Sequence, residues 1–419
     1  MPATTEYGVD LIVELAIGQS GDAGHWGSGR WGIDRWGTSD TSLGDWVDVT
    51  CDVLDGLGLS ASSNTDDGVS RRWESSSASF TLDGSVWDPW NGPHQGIVGD
   101  RTPVRVSWRM TGATVWVRAF TGFIATRGYS WDADEQQASV ACVDGTSILV
   151  ASDAPATTAQ GSGETAAARV ARIASAALWP GGTDITAGGS TLVPTTLDDP
   201  AWTELLGVAD TDLALLWIRR DGRLAFRPRG RVGPGQRLSG RLVVCPDLVD
   251  DVQVVTLGRA QPSVNRNRVW VSHRKAVDTD PDAPVVYAED RQSVARFQAH
   301  DFRAVDLWHN NDAWSATVAQ MTLGAGAWPS AAPGVIALDS VTDDDRVPVL
   351  LLTIEPDMTF DVVDDGGRVW REAVVGWNVT VSFADILGTF DVEDVSRWSA
   401  PGVWGTSKWG IDRWAIGGI

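Results

Sequence analysis

The sequence predicts a mainly β fold with minor α, arranged as two β domains joined by a small α+β segment. Three observations carry this. The chain has 419 residues, too many for one ordinary core, so two or three domains are expected. Its 45 glycines and 19 prolines are spread along the length and mark many turns. Most of its regular segments alternate apolar and polar residues, and few recur at helical spacing.

In chain order, 9–17 (VDLIVELAI) and 46–54 (WVDVTCDVL) alternate as half-buried strands. They read as a pair whose connection is expanded by a Gly/Ser/Asp-rich insert, 18–44. Long connections of this kind tend to be functional or mobile. Strands are expected at 78–82, 104–110, 115–124 and 138–143, with a turn at Thr111–Gly112. The run 144–152 (DGTSILVAS) then leads into a short helix, closing a first β domain over 1–152. A small, polar linker, 152–163, opens the α+β segment 153–246. Its helix, 164–178, places Val170, Ile173, Ala174, Ala177 and Leu178 on one stripe and stops at Trp179-Pro180-Gly181-Gly182. A second helix is expected at 203–209. The run 213–229 (LALLWIRRDGRLAFRPR) is a hairpin turning at Asp221–Gly222. The second β domain, 247–400, should hold strands at 252–257, 267–272, 296–302, 349–354, 359–363 and 368–383. It should also hold a helix capped by Asn311 or Asp312, and a turn at Asp364–Gly367. Residues 401–419 form a tail.

A net charge of −22 argues against a nucleic-acid-binding surface, which needs clustered Lys and Arg to neutralise phosphates. Cys51, Cys142 and Cys245 stand far apart, with no CxxC spacing, and read as small hydrophobes in strands. The N-terminus lacks a basic leader and no apolar run approaches the ~20 residues of a membrane span, so a soluble cytoplasmic product is expected.

The sequence offers no catalytic residues, no metal ligands and no cofactor motif. Asp198-Asp199, Asp250-Asp251, Asp343-Asp344-Asp345 and Asp364-Asp365 are adjacent carboxylates near turns, where such groups are usually solvated. None of His25, His94, His273, His300 and His309 has a metal-binding spacing. No P-loop, GxSxG or HExxH occurs.

One feature stands outside the periodic segments. WGSGRWGIDRWG begins at Trp26 and WGTSKWGIDRWA at Trp404, so Trp26, Trp31 and Trp36 correspond to Trp404, Trp409 and Trp414. A spacing of five suits neither one helix face nor one strand face. Large rings on Gly-rich segments suit an anchor for a protein partner. A small core of their own and a platform for stacking sugars are the other two readings.

The order of several segments resembles the tail-hub, or baseplate-hub, minor tail proteins of long-tailed bacteriophages, especially those of actinobacterial hosts. These segments are WVDVTCDVL followed by SSASFTLDGSVWDPWNGPHQGIVGDRTPVRVSW, then FTGFIATRGYSWDADEQQASVACVDGTSILVAS. WTELLGVADTDLALLWIRRDGRLAFRPR, NRVWVSHR, VPVLLLTIEP and VVGWNVTVSF follow, so the likeness spans roughly residues 7 to 398. The Trp-rich insert is longer than the family's usual first connection. The resemblance implies two tail-tube-like β-barrel domains joined by the α+β segment, in a non-enzymatic virion protein of the tail tip. It implies a homotrimer whose ring adapts the sixfold tail tube and distal tail protein to a threefold tip. Other minor tail proteins and the tape-measure protein are implied neighbours, with DNA passing the lumen without specific binding. An acidic wall suits that passage. A Trp-based carbohydrate-binding adhesin is the alternative, and a glycan hydrolase a more distant one.

Overall fold

A computed structural model describes residues 3–4, 8–17, 46–54, 56–64, 72–91, 93–94, 97–153, 156–160, 163–228, 238–243, 252–258, 266–273, 285–328, 334–340, 346–382, 385–395, 401–402 and 413–414. The fold is mainly β, as expected. Among the described residues no helix is long and apolar enough to cross a membrane.

The first array is antiparallel. Val9–Ala16 lies between Trp46–Asp48 and Pro103–Met110, with Glu14 opposite both Asp48 and Arg105. The array continues through Val117–Asp132, Gln137–Val143 and Ser77–Asp83 to Leu57–Asn64. Alternation decides which face is buried. In Ser77–Asp83, Ala78, Phe80 and Leu82 point inward while the residues between them do not. The expected pairing of the segments around 9–17 and 46–54 is present, and the insert 18–44 falls outside the described residues.

The second array centres on the long strand Val369–Val381, which changes partner halfway. Its first half pairs with Thr359–Val363, its second half with Leu57–Asn64 of the first array, and Ile386–Asp394 runs along its other side. A register shift between Val374 and Gly376 marks the changeover. The two arrays therefore share one hydrogen-bonded sheet, and one hydrophobic core, from Val9 and Trp108 to Val379 and Phe390, runs beneath both. Leu238–Val243 pairs in parallel with Thr359–Val363.

Gly56 lies against the second array at the start of this seam. A Cβ there would lie 2.7 Å from the Val381 carbonyl oxygen, a backbone atom that cannot swing away. Gly56→Ala is expected to cost about 1–3 kcal/mol, by forcing Leu57–Asn64 away from Val369–Val381. Urea unfolding checks this, and an unchanged midpoint would mean that the seam is pliant.

Two smaller cores are formed among the described residues. Helices Ala166–Ala176 and Ala201–Asp212 pack on the hairpin Leu215–Ile218/Leu224–Arg227 through Ile173, Leu205, Leu216 and Phe226. Of the predicted stripe, Val170, Ile173 and Ala174 are buried, but the helix ends at Ala176, so Ala177 is only half-buried and Leu178, in a left-handed conformation beyond the end, is exposed. Thr165 caps the helix by accepting from the Ala168 N–H. The other core lies between helix Asp312–Gly326 and the sheet Val285–Glu289, Arg268–His273, Asp301–Leu307. Asn311 caps that helix, accepting from the N–H groups of Ala313 and Trp314.

Four local expectations are corrected. Residues 349–354 are not a strand: Arg346–Thr353 is a helix, with Pro348 in its first turn, where a missing N–H does no harm. A short apolar run such as VLLLTI fits either state until its neighbours are known. The strand expected at 296–302 begins only at Asp301, because Asp290 caps a helix, Arg291–Phe297, that ends at left-handed Gln298. The linker 152–163 contains a strand, Ala156–Gln160, paired with Thr195–Leu197. Cys51 is exposed in the one-turn helix Thr50–Asp52, whereas Cys142 is buried in its strand and Cys245 lies outside the described residues.

Candidate functional site

The residues proposed from sequence for partner binding are not brought together in the described structure. Trp26, Trp31, Trp36, Trp404 and Trp409 lie outside the described residues. Of Trp414 only the backbone is described, in the short strand Arg413–Trp414 parallel to Pro401–Gly402. The remaining tryptophans divide. Trp217 and Trp377 are buried core residues, whereas Trp116 and Trp270 are only half-buried, with the Arg109 guanidinium over Trp116 and those of Arg268 and Arg303 over Trp270.

A different constellation sits where three parts of the chain meet. The hairpin turn after Ile218 carries Arg219, Arg220 and Asp221, and Gly222 takes the left-handed conformation that closes it. Arg220 is buried and reaches into both β arrays. Its Nε donates to the Ile354 carbonyl at 2.8 Å, its Nη1 to Leu352 at 3.0 Å and Ala119 at 3.5 Å, and its Nη2 to Leu351 at 3.3 Å. The guanidinium thus caps the C-terminal end of helix Arg346–Thr353, where carbonyls lack partners and the helix dipole favours a cation. It also lies 5.1 Å from the Trp377 ring, on the strand that changes partner.

Glu355 follows that helix and closes the constellation from the other side. One carboxylate oxygen accepts from Trp217 Nε1 at 2.8 Å and the other from the Arg220 backbone N–H at 3.2 Å. Burial pushes its carboxyl up to about 7, against the opposing pull of Arg220, the Trp217 N–H and Arg219. Burial likewise brings the Arg220 guanidinium down to about 10, with Glu355 opposing. A second pair of ions fastens the base of the hairpin. Asp184 accepts from Arg227 at 2.8 Å and from Arg219, and these bonds, led by Arg227, hold its carboxyl at about 2. Arg227 also reaches Asp357 at 3.2 Å.

A cavity of about 350 Å³ opens beside this junction, bordered by Arg118, Trp217, Glu355 and Asp357 among others. Glycosidic hydrolysis would need two carboxyl groups facing a common space and free to act on a substrate. Glu355 and Asp357 border the same cavity, but Glu355 accepts with both oxygens, and Asp357 with one, from donors of their own chain. Chemically, the arrangement holds the hairpin, the first array and the second array in one geometry. Consecutive arginines in a tight turn between two apolar runs, RRDGR, were the available sequence signal for it. Glu355 carried none, because its partners lie more than a hundred residues away.

The other clusters are structural. The carboxylates of Asp198, Asp199 and Glu204 lie within 4.8 Å of one another. Glu204, though, accepts from the N–H groups of Asp198 and Asp199 at 2.9 and 3.0 Å and so fixes the start of its helix. Asp364 accepts from the Gly366 and Arg368 N–H groups in the expected turn. Asp250-Asp251 and Asp343-Asp344-Asp345 lie outside the described residues. His273 and His309 stack at 5.0 Å, both buried, and His273 Nδ1 meets the Ser315 hydroxyl at 2.9 Å. Burial and the neighbouring His273 lower His309 to about 4.

No protein-family model matches the sequence, and no curated protein matches it. Solved structures do match in fold. A tail protein from Neisseria meningitidis MC58 superposes with a TM-score of 0.57 over 93% of this chain and 98% of its own, at 12% identity. The 43 kDa tail protein of prophage MuSo2 from Shewanella oneidensis superposes with a TM-score of 0.53 over 93% and 99%, also at 12% identity. At such identity the likeness is one of fold.

Proposed function

We propose that this chain is a structural component of a phage tail, a hub ring at the tail tip that joins the tail tube and distal tail protein to the tip and lines the DNA passage. The observation that carries the proposal is end-to-end correspondence of fold with two tail proteins, with almost nothing of either chain left over. The junction at Arg220 and Glu355 supports it, since this buried polar network binds segments of the chain to one another. The net charge of −22 suits a wall that phosphate slides past.

In this reading the chain is organised as 1–152, 153–246, 247–400 and 401–419, with two barrel-like β units. Three copies close the ring, and other minor tail proteins and the tape-measure protein are its neighbours. The Trp segments fasten that ring. The test is to label the protein on purified particles with a specific antibody and to examine particles assembled without it. Label at the tail tip, and tails lacking a tip when the protein is absent, are expected. Label along the tail shaft or on the head would overturn the hub role, and normal infectious particles without the protein would overturn the structural role.

A further inference from the structure

Among the described residues, the sheet Val285–Glu289, Arg268–His273, Asp301–Leu307 has one face covered by a helix and one face left open. Val269, Val271, Ala288 and Ala304 point into the core beneath helix Asp312–Gly326. The alternate positions carry Arg268, Trp270, Tyr287 and Arg303 outward. Strand register sets Tyr287 opposite Trp270, and Trp270 opposite Arg303, so these three side chains form a row across the whole sheet. The Trp270 and Tyr287 rings are 4.9 Å apart, and the guanidinium carbons of Arg268 and Arg303 each lie 5.3 Å from the centre of the Trp270 ring. Tyr287 is 47% exposed, and Val285 beside it on the same strand is 59% exposed.

Trp, Tyr and Arg are the residues most enriched where protein surfaces bind one another, and these are gathered on a flat, rigid support. The charges say what fits there. Arg268 is already paired with Asp301 at 2.5 Å. Arg303 makes no ion pair among the described residues and rests only on Trp270. The chain carries 55 acidic residues against 33 basic ones, so a cation left without a carboxylate of its own runs against its composition. The surface of another copy offers such carboxylates in abundance. Asp301 and Glu289, close to the row, disfavour a phosphate backbone as the occupant.

We propose that the outer face of this sheet docks a second copy of this chain, with Trp270 and Tyr287 as the apolar centre and Arg303 taking a carboxylate from the neighbour. The proposal rests on the ring-forming reading above, and names one face through which the ring closes.

The test is sedimentation equilibrium of the full chain at low and high salt. Association is expected to be concentration-dependent and weaker at high salt. Trp270→Ala should weaken it about 30-fold or more, as loss of an interface anchor does. Arg303→Glu should weaken it about tenfold and flatten the salt dependence, while Arg303→Lys keeps most of it. Both side chains are at the surface, so unchanged thermal unfolding of each variant will show that folding is intact. A chain that stays monomeric at every concentration, or that associates equally well in both variants, overturns the proposal. Association that persists through another face removes this docking surface and leaves the tail-protein reading standing. Association lost in both variants, with no label on tail particles, upholds the surface and removes the tail-protein reading.

Discussion

Replacing Arg220 by alanine is expected to lower global stability by about 3–5 kcal/mol, the range seen when one member of a buried charged network is removed. Three losses coincide. The carbonyls of Leu351, Leu352 and Ile354 lose their donor at the end of a helix, and the Ala119 carbonyl loses its link to the hairpin. Glu355 loses the guanidinium that offsets its burial. A volume the size of an arginine side chain empties beside Trp377. Arg220→Lys should recover only a minor part, because one ammonium cannot span carbonyls on two separate segments as the planar fork does. Arg223→Ala, on the same turn but exposed and paired with Asp221, should stay within about 0.5 kcal/mol. Urea unfolding of the three variants is the measurement. An Arg220→Ala midpoint equal to that of Arg223→Ala would show that the junction does not hold the arrays together.

Glu355→Gln is expected to stabilise the protein at pH 8 and to have little effect near pH 4. The Glu355 carboxyl is raised from 4.5 to about 7 on folding, so the folded chain holds a proton that the unfolded chain releases. The stability this contributes is complete below 4.5 and is lost as pH rises through 7, a swing of about 3 kcal/mol at 1.36 kcal/mol per unit. Glutamine keeps an acceptor for Trp217 Nε1 but carries no charge, so it should remove the swing. His309 works in the opposite sense. Its folded value of about 4 lies below the usual 6.5, so its contribution is complete above 6.5 and is lost as pH falls through 4. In the interval both groups cover, the two slopes oppose each other and the unmodified chain should show a shallow profile. Denaturant midpoints across pH 4 to 8 test this. If Glu355→Gln runs parallel to the unmodified chain throughout, the carboxyl is not titrating in that window.

Much of the fold was legible because it depends on local pattern. The stripe at Val170, Ile173 and Ala174, the turn at Asp221–Gly222 and the alternation of Val9–Ala16 each follow from spacing within a few residues. Helix Arg346–Thr353 was not legible, because a continuous apolar run carries no period and its cap, Arg220, comes from far back in the chain. The pairing of Leu57–Asn64 with Val369–Val381 left no trace either, since register between distant strands is set by packing that a single sequence does not display. The candidate site fared worse. The aromatic repeats caught attention through repetition, whereas Trp270, Tyr287 and Arg303 are scattered over two dozen or more positions and meet only through strand register.

The partner change in Val369–Val381 also sets a timetable for synthesis. Leu57–Asn64 leaves the ribosome long before Val369–Val381, the strand that covers its edge. Until then its backbone N–H and C=O groups on that side stay open to any passing strand. Its sequence, LGLSASSN, is short and rich in serine, a composition poorly suited to runaway pairing with a neighbouring nascent chain. The segments around Val9, Phe80 and Val106 can collapse first, yet they become a finished sheet only once Val369–Val381 has been made.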